Sequence, residues 1–359
     1  MSSGESQVPA GEPTSESPVV PHKRRPRYAG KYPRRFEEKY KEREPDRHGD
    51  VVAKVLASGK TPAGTHRPIL VPEILEVLAP KPGEVGVDCT LGYGGHAEEF
   101  LKRLVPGGRL IGLDADPKEL PRAEARLRSL GYGAEVFTAV RSNFAGLPGV
   151  LAAAGISGVD FLLADLGVSS MQLDDPARGF TAKFAGPLDM RMNPGRGQPV
   201  SAWLASVKPA ELVRVLAENS DEPHAARLGE SLAGKKWEST RALADAVRGL
   251  LGDVGREERE VSVRRVFQAL RIEVNDEFSA LETLLRGITG CLKPGARVAI
   301  LTFHSGEDRR VKRSFETGKA AGVFAAIAEE VIRAGPEERR ANPRSSSAKL
   351  RWAVVGAEE

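Results

Sequence analysis

Between residues 85 and 165 four short aliphatic runs alternate with loops and helical periods, and this rhythm leaves few folds open. Val85–Thr90 reads as a buried strand. A loop holding Gly92, Gly94 and Gly95 follows, and then Ala97, Phe100, Leu101 and Leu104 recur at i, i+3, i+4 and i+7. Strands are expected again over Arg109–Asp114, Ala134–Val140 and Val159–Asp165, with a helix over 117–130. Strands this short and this apolar need helices on both faces, which predicts a parallel α/β sheet. Upstream, Leu70, Ile74, Leu75 and Leu78 make a helix that ends near Pro80.

The rhythm breaks after Gly167. Residues 168–200 are rich in turn signals, and from Ser201 to about Arg271 the period is helical throughout, as in Leu212, Val215 and Leu216. A helix over Phe278–Ile288, the turn Leu292–Gly295 and strands over Arg297–Thr302 and Lys349–Val355 resume the α/β pattern. The boundaries expected are a basic, unfolded extension over 1–60, a sheet domain in two parts, 61–175 and 275–359, and a helical insertion over 176–274. With 359 residues, 40% of them apolar, the chain can bury one large core or two modest ones.

Cys89 and Cys291 are far apart and no CxxC occurs, so a reduced protein without structural zinc is expected. Six scattered histidines, none in HxH or HxxxH spacing, argue against a protein-ligated metal. No window approaches eighteen apolar residues and the N-terminus is polar, which points to a cytoplasmic protein without span or signal. The net charge of +4 is concentrated in residues 21–47, with eleven Lys/Arg against five Asp/Glu. That run is either a solvated leader or an electrostatic arm for RNA.

Open parallel sheets bind ligands at the carboxyl ends of their strands, so those ends carry the functional reading. The first ends in the glycine loop, which is not GxGxxG. The second ends in Asp114, twenty-two residues after Gly92, where a carboxylate can accept both ribose hydroxyls of an adenosine. Together they suggest an adenosine cofactor without separating NAD from S-adenosylmethionine. The third leads to Phe144, beside an adenine or simply in the core. The fourth puts Asp165 on the crevice floor, ahead of Gln172, and the fifth runs into Phe303, His304, Glu307 and Arg309.

The runs Gly94–His96, Asp165–Ser170, Gln172–Phe180, Gly186–Met192, Phe267–Arg271, Phe303–Ser305, Glu307–Arg309 and Asn342–Ser345 resemble the ribosomal RNA small subunit methyltransferase H family over roughly residues 64–353. The resemblance implies a class I methyltransferase (Rossmann-like) sheet with an inserted helical domain and S-adenosylmethionine as cofactor. It implies cytosine N4 in the decoding region of small-subunit rRNA as target, with neither DNA nor membrane as partner. Carried over by residue, cofactor contacts fall on Gly94, Gly95, His96, Asp114, Phe144, Asp165 and Gln172. Gly306 replaces the usual Leu, suggesting a more flexible loop, and residues 1–60 have no counterpart in the resemblance. Whether the chain is a monomer or a homodimer is left open.

An exocyclic amine conjugated with its ring is a weak nucleophile until an acceptor takes its proton. Asp165 is the expected catalytic acceptor, or else it orients the cofactor and a backbone carbonyl or Asp189 receives the proton. Phe180 or Phe303 would stack an exposed base. Arg264, Arg265, Arg271, Arg309, Arg310, Lys312 and Arg313 are candidate phosphate contacts. A nicotinamide oxidoreductase and a catalytically silent RNA-binding assembly factor remain as alternatives.

Overall fold

A computed structural model describes Met1 and residues 68–357, so the expected leader over 1–60 lies outside the described residues. Seven strands, β1 (Val85–Asp88), β2 (Arg109–Asp114), β3 (Phe137–Arg141), β4 (Val159–Asp165), β5 (Leu292–Thr302), β6 (Phe324–Ile327) and β7 (Lys349–Val355), form one sheet in the order 3-2-1-4-5-7-6. β1 to β5 are parallel. β7 then runs antiparallel between β5 and β6, so the sheet is mixed rather than wholly parallel. Apolar alternation carries no strand direction, and β6 is a four-residue edge strand too short to register in the pattern. β5 begins at Leu292 instead of Arg297. Gly295, at φ 73, turns within the strand.

Packing follows the apolar spacing. Helices α1 (Val71–Leu78) and α2 (Gly95–Leu104) bury Ile74 and Leu78, and Ala97, Phe100, Leu101 and Leu104, against one sheet face. Each large side chain fully buried there contributes about 1.5–3 kcal/mol of transfer free energy. Phe100 meets Phe161 of β4 edge to face at 5.2 Å, and the Phe161 ring fills the space a Cβ at Gly86 would need. The other face is covered by α4 (Leu147–Ala153) and α11 (Glu277–Gly287), after α3 (Glu119–Ser129) and the short α5 (Ser170–Asp174) have been placed along the chain.

The segment between α5 and α11 forms α6 (Val200–Ser206), α7 (Pro209–Ser220), α8 (Ala225–Leu232), α9 (Thr240–Leu250) and α10 (Arg256–Asn275). These share a separate apolar cluster running from Phe180 to Leu270. Phe180 is 5% exposed within it, so it is a core aromatic and not a base platform. Gly229 lets α8 lie close on α7, since a Cβ there would come 2.5 Å from Val213 Cγ2. The chain returns to the sheet through Asp276, at φ 52, and later through α12 (Ser305–Ala320). Gly306 sits buried in the first turn of α12, with the Phe278 ring 2.5 Å from where a Cβ would be. It is a packing glycine, contrary to the flexible loop expected.

Candidate active site

β1 and β4 are neighbours while the chain leaves them toward opposite edges, so their carboxyl ends open a crevice. A cavity of about 340 Å³ fills it, bordered by Gly95, His96, Asp114, Phe144, Asp165 and Gln172 among others. Six of the seven expected cofactor residues thus meet in one hollow. The seventh, Gly94, stands behind the wall at φ 82, where a Cβ would press on Leu127 at 3.1 Å. It serves the turn that starts α2, whose unpaired first-turn amides face an anion-favouring end of the helix dipole.

Asp114 is pinned. Its Oδ2 accepts the Gly92 N–H and its Oδ1 the Asp116 N–H, both at 2.8 Å. Burial pushes its carboxyl up to about 6 despite these two amides. Asp88, 1% exposed, is pushed up to about 7 by burial, against the restraining Thr90 amide. Thr90 bridges the strands, for its hydroxyl accepts the Asp165 N–H at 2.7 Å. Asp165 is therefore fixed at its backbone while its side chain faces the cavity.

Around Asp165 the electrostatics are unusual for a carboxylate. Oδ1 is buried with no partner among the described residues, and Oδ2 lies 3.7 Å from His96 Nδ1. His96 Nε2 is held 3.0 Å from the Ile69 carbonyl, which only a protonated Nε2 can satisfy, so Nδ1 turns a lone pair toward Asp165. Burial lowers the imidazole to about 4, keeping it neutral. Asp165 gains no counter-charge from it. Burial, then the charges of Asp88 and Glu307, push the Asp165 carboxyl up to about 8.

Gln172 is more occupied than expected. Its Oε1 accepts the Ser169 N–H at 2.9 Å in a capping box, and its Nε2 donates to Asp116 Oδ2 at 2.9 Å. Asp189 does not border the cavity and is held by Arg191 Nε at 2.7 Å, which removes it as the alternative acceptor. His304 caps α12, accepting the Glu307 N–H on Nδ1 at 3.4 Å. Phe303 borders the cavity, as the stacking role requires. Sequence reading missed Glu277, whose carboxylate lies with those of Glu307 and the His304 ring inside 4.8 Å of one another. The three come from two helices and a strand end, and no spacing rule could have joined them.

Of the expected phosphate contacts, Arg309 is paired with Asp221, Arg310 with Glu282 and Arg271 with Glu277. Two arginines not singled out, Arg141 and Arg196, border an adjoining hollow of about 720 Å³ and have no side-chain acceptor among the described residues.

The sequence profile of the MraW methylase family matches residues 63–355, nearly all of the described chain. The chain belongs to the MraW methylase family. Among its relatives, ribosomal RNA small subunit methyltransferase H 1 of Lachnoclostridium phytofermentans is 45% identical over 357 residues, covering 97% of each chain. Methyltransferase H 2 of Alkaliphilus metalliredigens is 46% identical over 340 residues, covering 92% of this chain and 97% of that one. A match over 97% of the chain takes in most of residues 1–60, so that extension does have a counterpart among relatives. A loose structural likeness, TM-score 0.38 at 10% identity over 86% of this chain and 72% of the other, links it to an S-adenosylmethionine-dependent O-methyltransferase of Thermotoga maritima.

This MraW methylase has the class I methyltransferase sheet, and S-adenosylmethionine is its cofactor. The cavity fits that molecule. A sulfonium cation suits a hollow walled by Asp114, Asp165 and Glu307, with one carboxylate oxygen buried and unpartnered among the described residues. In that fit Asp114 would offer its remaining lone pairs to ribose hydroxyls, half-buried Phe144 a face to adenine, and the α2 N-terminus its amides to a carboxylate. Asp114→Ala is expected to weaken cofactor binding by about 1.5–3 kcal/mol, the value of hydrogen bonds to a charged acceptor. Calorimetric titration checks it, and an unchanged Kd would reduce Asp114 to a loop-holding role.

Proposed function

We propose that this protein methylates the exocyclic N4 of a cytidine in the decoding region of small-subunit rRNA. The observation that carries the reading is Asp165: a strand-end carboxylate with a buried, unpartnered oxygen and a proton affinity raised to about 8, bordering the same cavity as the ring of Phe303. Such a group is poor as a structural anchor and well matched to taking a proton near neutral pH. When bound, S-adenosylmethionine supplies the methyl group, the amine nitrogen forming the new N–C bond as the sulfonium S–C bond breaks. Asp165 accepts the amine proton. His96, neutral, stands beside Asp165 without supplying a counter-charge that would lower its affinity for that proton. Phe303 offers a face for the exposed base.

The relatives' names, which specify small-subunit rRNA, support the substrate class. So does the excess of basic residues over 21–47. The helical segment over 176–274 would bear on the rRNA, and a pre-assembled small subunit is the proposed substrate. Mapping N4-methylcytidine in rRNA from cells lacking the gene, restored with wild type or Asp165→Asn, tests the assignment. No methylated cytidine dependent on the gene would leave the silent assembly factor.

Arg141 and Arg196, beside the cavity mouth and without side-chain acceptors among the described residues, are expected to meet phosphates. Replacing both with alanine should leave cofactor affinity intact. The log K against log salt slope for small-subunit binding should fall by about 0.7–0.9 for each phosphate no longer neutralised. Superimposable slopes would remove these two from the interface.

A further inference from the structure

Asp165 accounts for the cavity floor but leaves unexplained a positive charge set into its wall. Arg271, expected on sequence grounds at a phosphate, is only 13% exposed and borders the cofactor cavity. Its Nε and Nη2 donate to the two oxygens of Glu277, each at 2.8 Å, a fork that fixes the guanidinium plane. Among the described residues Nη1 has no acceptor. Glu277 lies against His304 and Glu307, and the Glu307 charge acts on both Arg271 and Asp165. Phe303, whose N–H donates to Glu307 Oε2 at 2.9 Å, follows the strand that pairs with the Asp165 strand. One rigid donor, unused by the described residues, therefore shares a cluster with the proposed proton acceptor and the proposed stacking ring.

We propose that Arg271 reads the substrate base, its Nη1 donating to the ring nitrogen N3 next to the reacting amine of cytosine. Glu277 is the positioning residue that aims it. The inference rests on the cytidine reading above and deepens it. A guanidinium has donors and no acceptor. It welcomes the lone pair that cytosine carries at N3 and meets an opposing N–H in uracil. Phosphate binding needs no such burial, and the Glu277 fork would weaken it.

The test is a cycle of enzyme and substrate changes on reconstituted small subunits carrying cytidine or 3-deazacytidine at the mapped position. Wild type is expected to lose roughly 10- to 100-fold in kcat/KM on 3-deazacytidine, as one charge-assisted hydrogen bond commands. Arg271→Met should lose a similar factor on cytidine and little more on 3-deazacytidine, because the hydrogen bond is already absent. Any change in amine reactivity from the deaza substitution is common to both enzymes and cancels. Cofactor affinity by calorimetry should be unchanged. If Arg271→Met does not fold, Glu277→Gln and Arg271→Lys complete the same cycle, each expected to blunt the discrimination. Additive losses overturn the proposal, and so does a loss of cofactor affinity, which would put Nη1 on the cofactor. A wild type that methylates no cytidine in the subunit fails at the parent reading. Activity with additive losses fails here alone.

Discussion

Asp165→Asn is expected to slow methyl transfer by about a hundred- to ten-thousand-fold while the protein still folds and binds its cofactor. The amide keeps the shape and the backbone bond to Thr90 but cannot take a proton. Single-turnover rates on small subunits, beside calorimetry with S-adenosylmethionine, separate the two effects. A variant within a few-fold of wild type would show that the amine proton leaves by another route.

The same residue ties activity to pH and stability. Its folded pKa, about 8, lies above the ordinary carboxylate value. The folded state therefore holds a proton that the unfolded chain releases, and stability falls as pH rises from about 4 through about 8. Asparagine has no such dependence. The Tm of Asp165→Asn should exceed that of wild type by more at pH 9 than at pH 5. Wild-type affinity for a cationic cofactor should rise over the upper part of that window as the carboxylate ionises, and the variant should lose that rise. A Tm gap independent of pH would show that Asp165 is ionised throughout.

The places where sequence reading succeeded share a physical cause. Strand ends in an open sheet occupy known positions relative to the crevice, so Asp114 and Asp165 could be placed at the cavity from the strand pattern, and Ala97, Phe100, Leu101 and Leu104 in the core from a single helical period, whereas Phe144 stayed open between cavity and core until the tertiary structure put it at the cavity edge. Charge was less legible. Arg264 and Arg271 lie on the same helix, about two turns apart, yet one is exposed and the other half-buried in a fork with Glu277, because helix α10 presents one end to the cavity. Phe180 and Phe303 look alike in sequence, and only tertiary packing sends one to the helical core and the other to the cavity. The Glu277, His304 and Glu307 group shows the limit most directly, since its members meet only after the chain has returned from the insertion.

Breaking the Asp116–Arg178 pair should destabilise the protein more than any surface ion pair. Asp116 is fully buried and Arg178 is 5% exposed, with Nη1 at 2.7 Å from Asp116 Oδ2. Nη2 of the same arginine donates to the Arg191 and Met192 carbonyls at 3.0 and 2.9 Å, while Asp116 also receives Gln172 Nε2 and gives its own N–H to Asp114. This single pair therefore joins the cofactor-side loop to the entry of the helical segment. Arg178→Met removes the cation and leaves a buried carboxylate uncompensated, a change that costs about 3–5 kcal/mol. Burial by itself would raise the Asp116 carboxyl, but the Gln172 bond and the Arg178 charge outweigh it and hold the group below its ordinary value. Stability from this pair is thus present above the unfolded carboxylate pKa and is lost as pH falls through the lower folded one. Urea unfolding should show the full deficit of Arg178→Met at pH 7 and a smaller deficit under strongly acidic conditions, where the wild-type pair is itself protonated. The double variant Asp116→Asn/Arg178→Met, which leaves no orphaned charge, should recover part of the loss. A double variant no more stable than Arg178→Met would mean that the carbonyl bonds of Arg178, not the ion pair, hold the junction together.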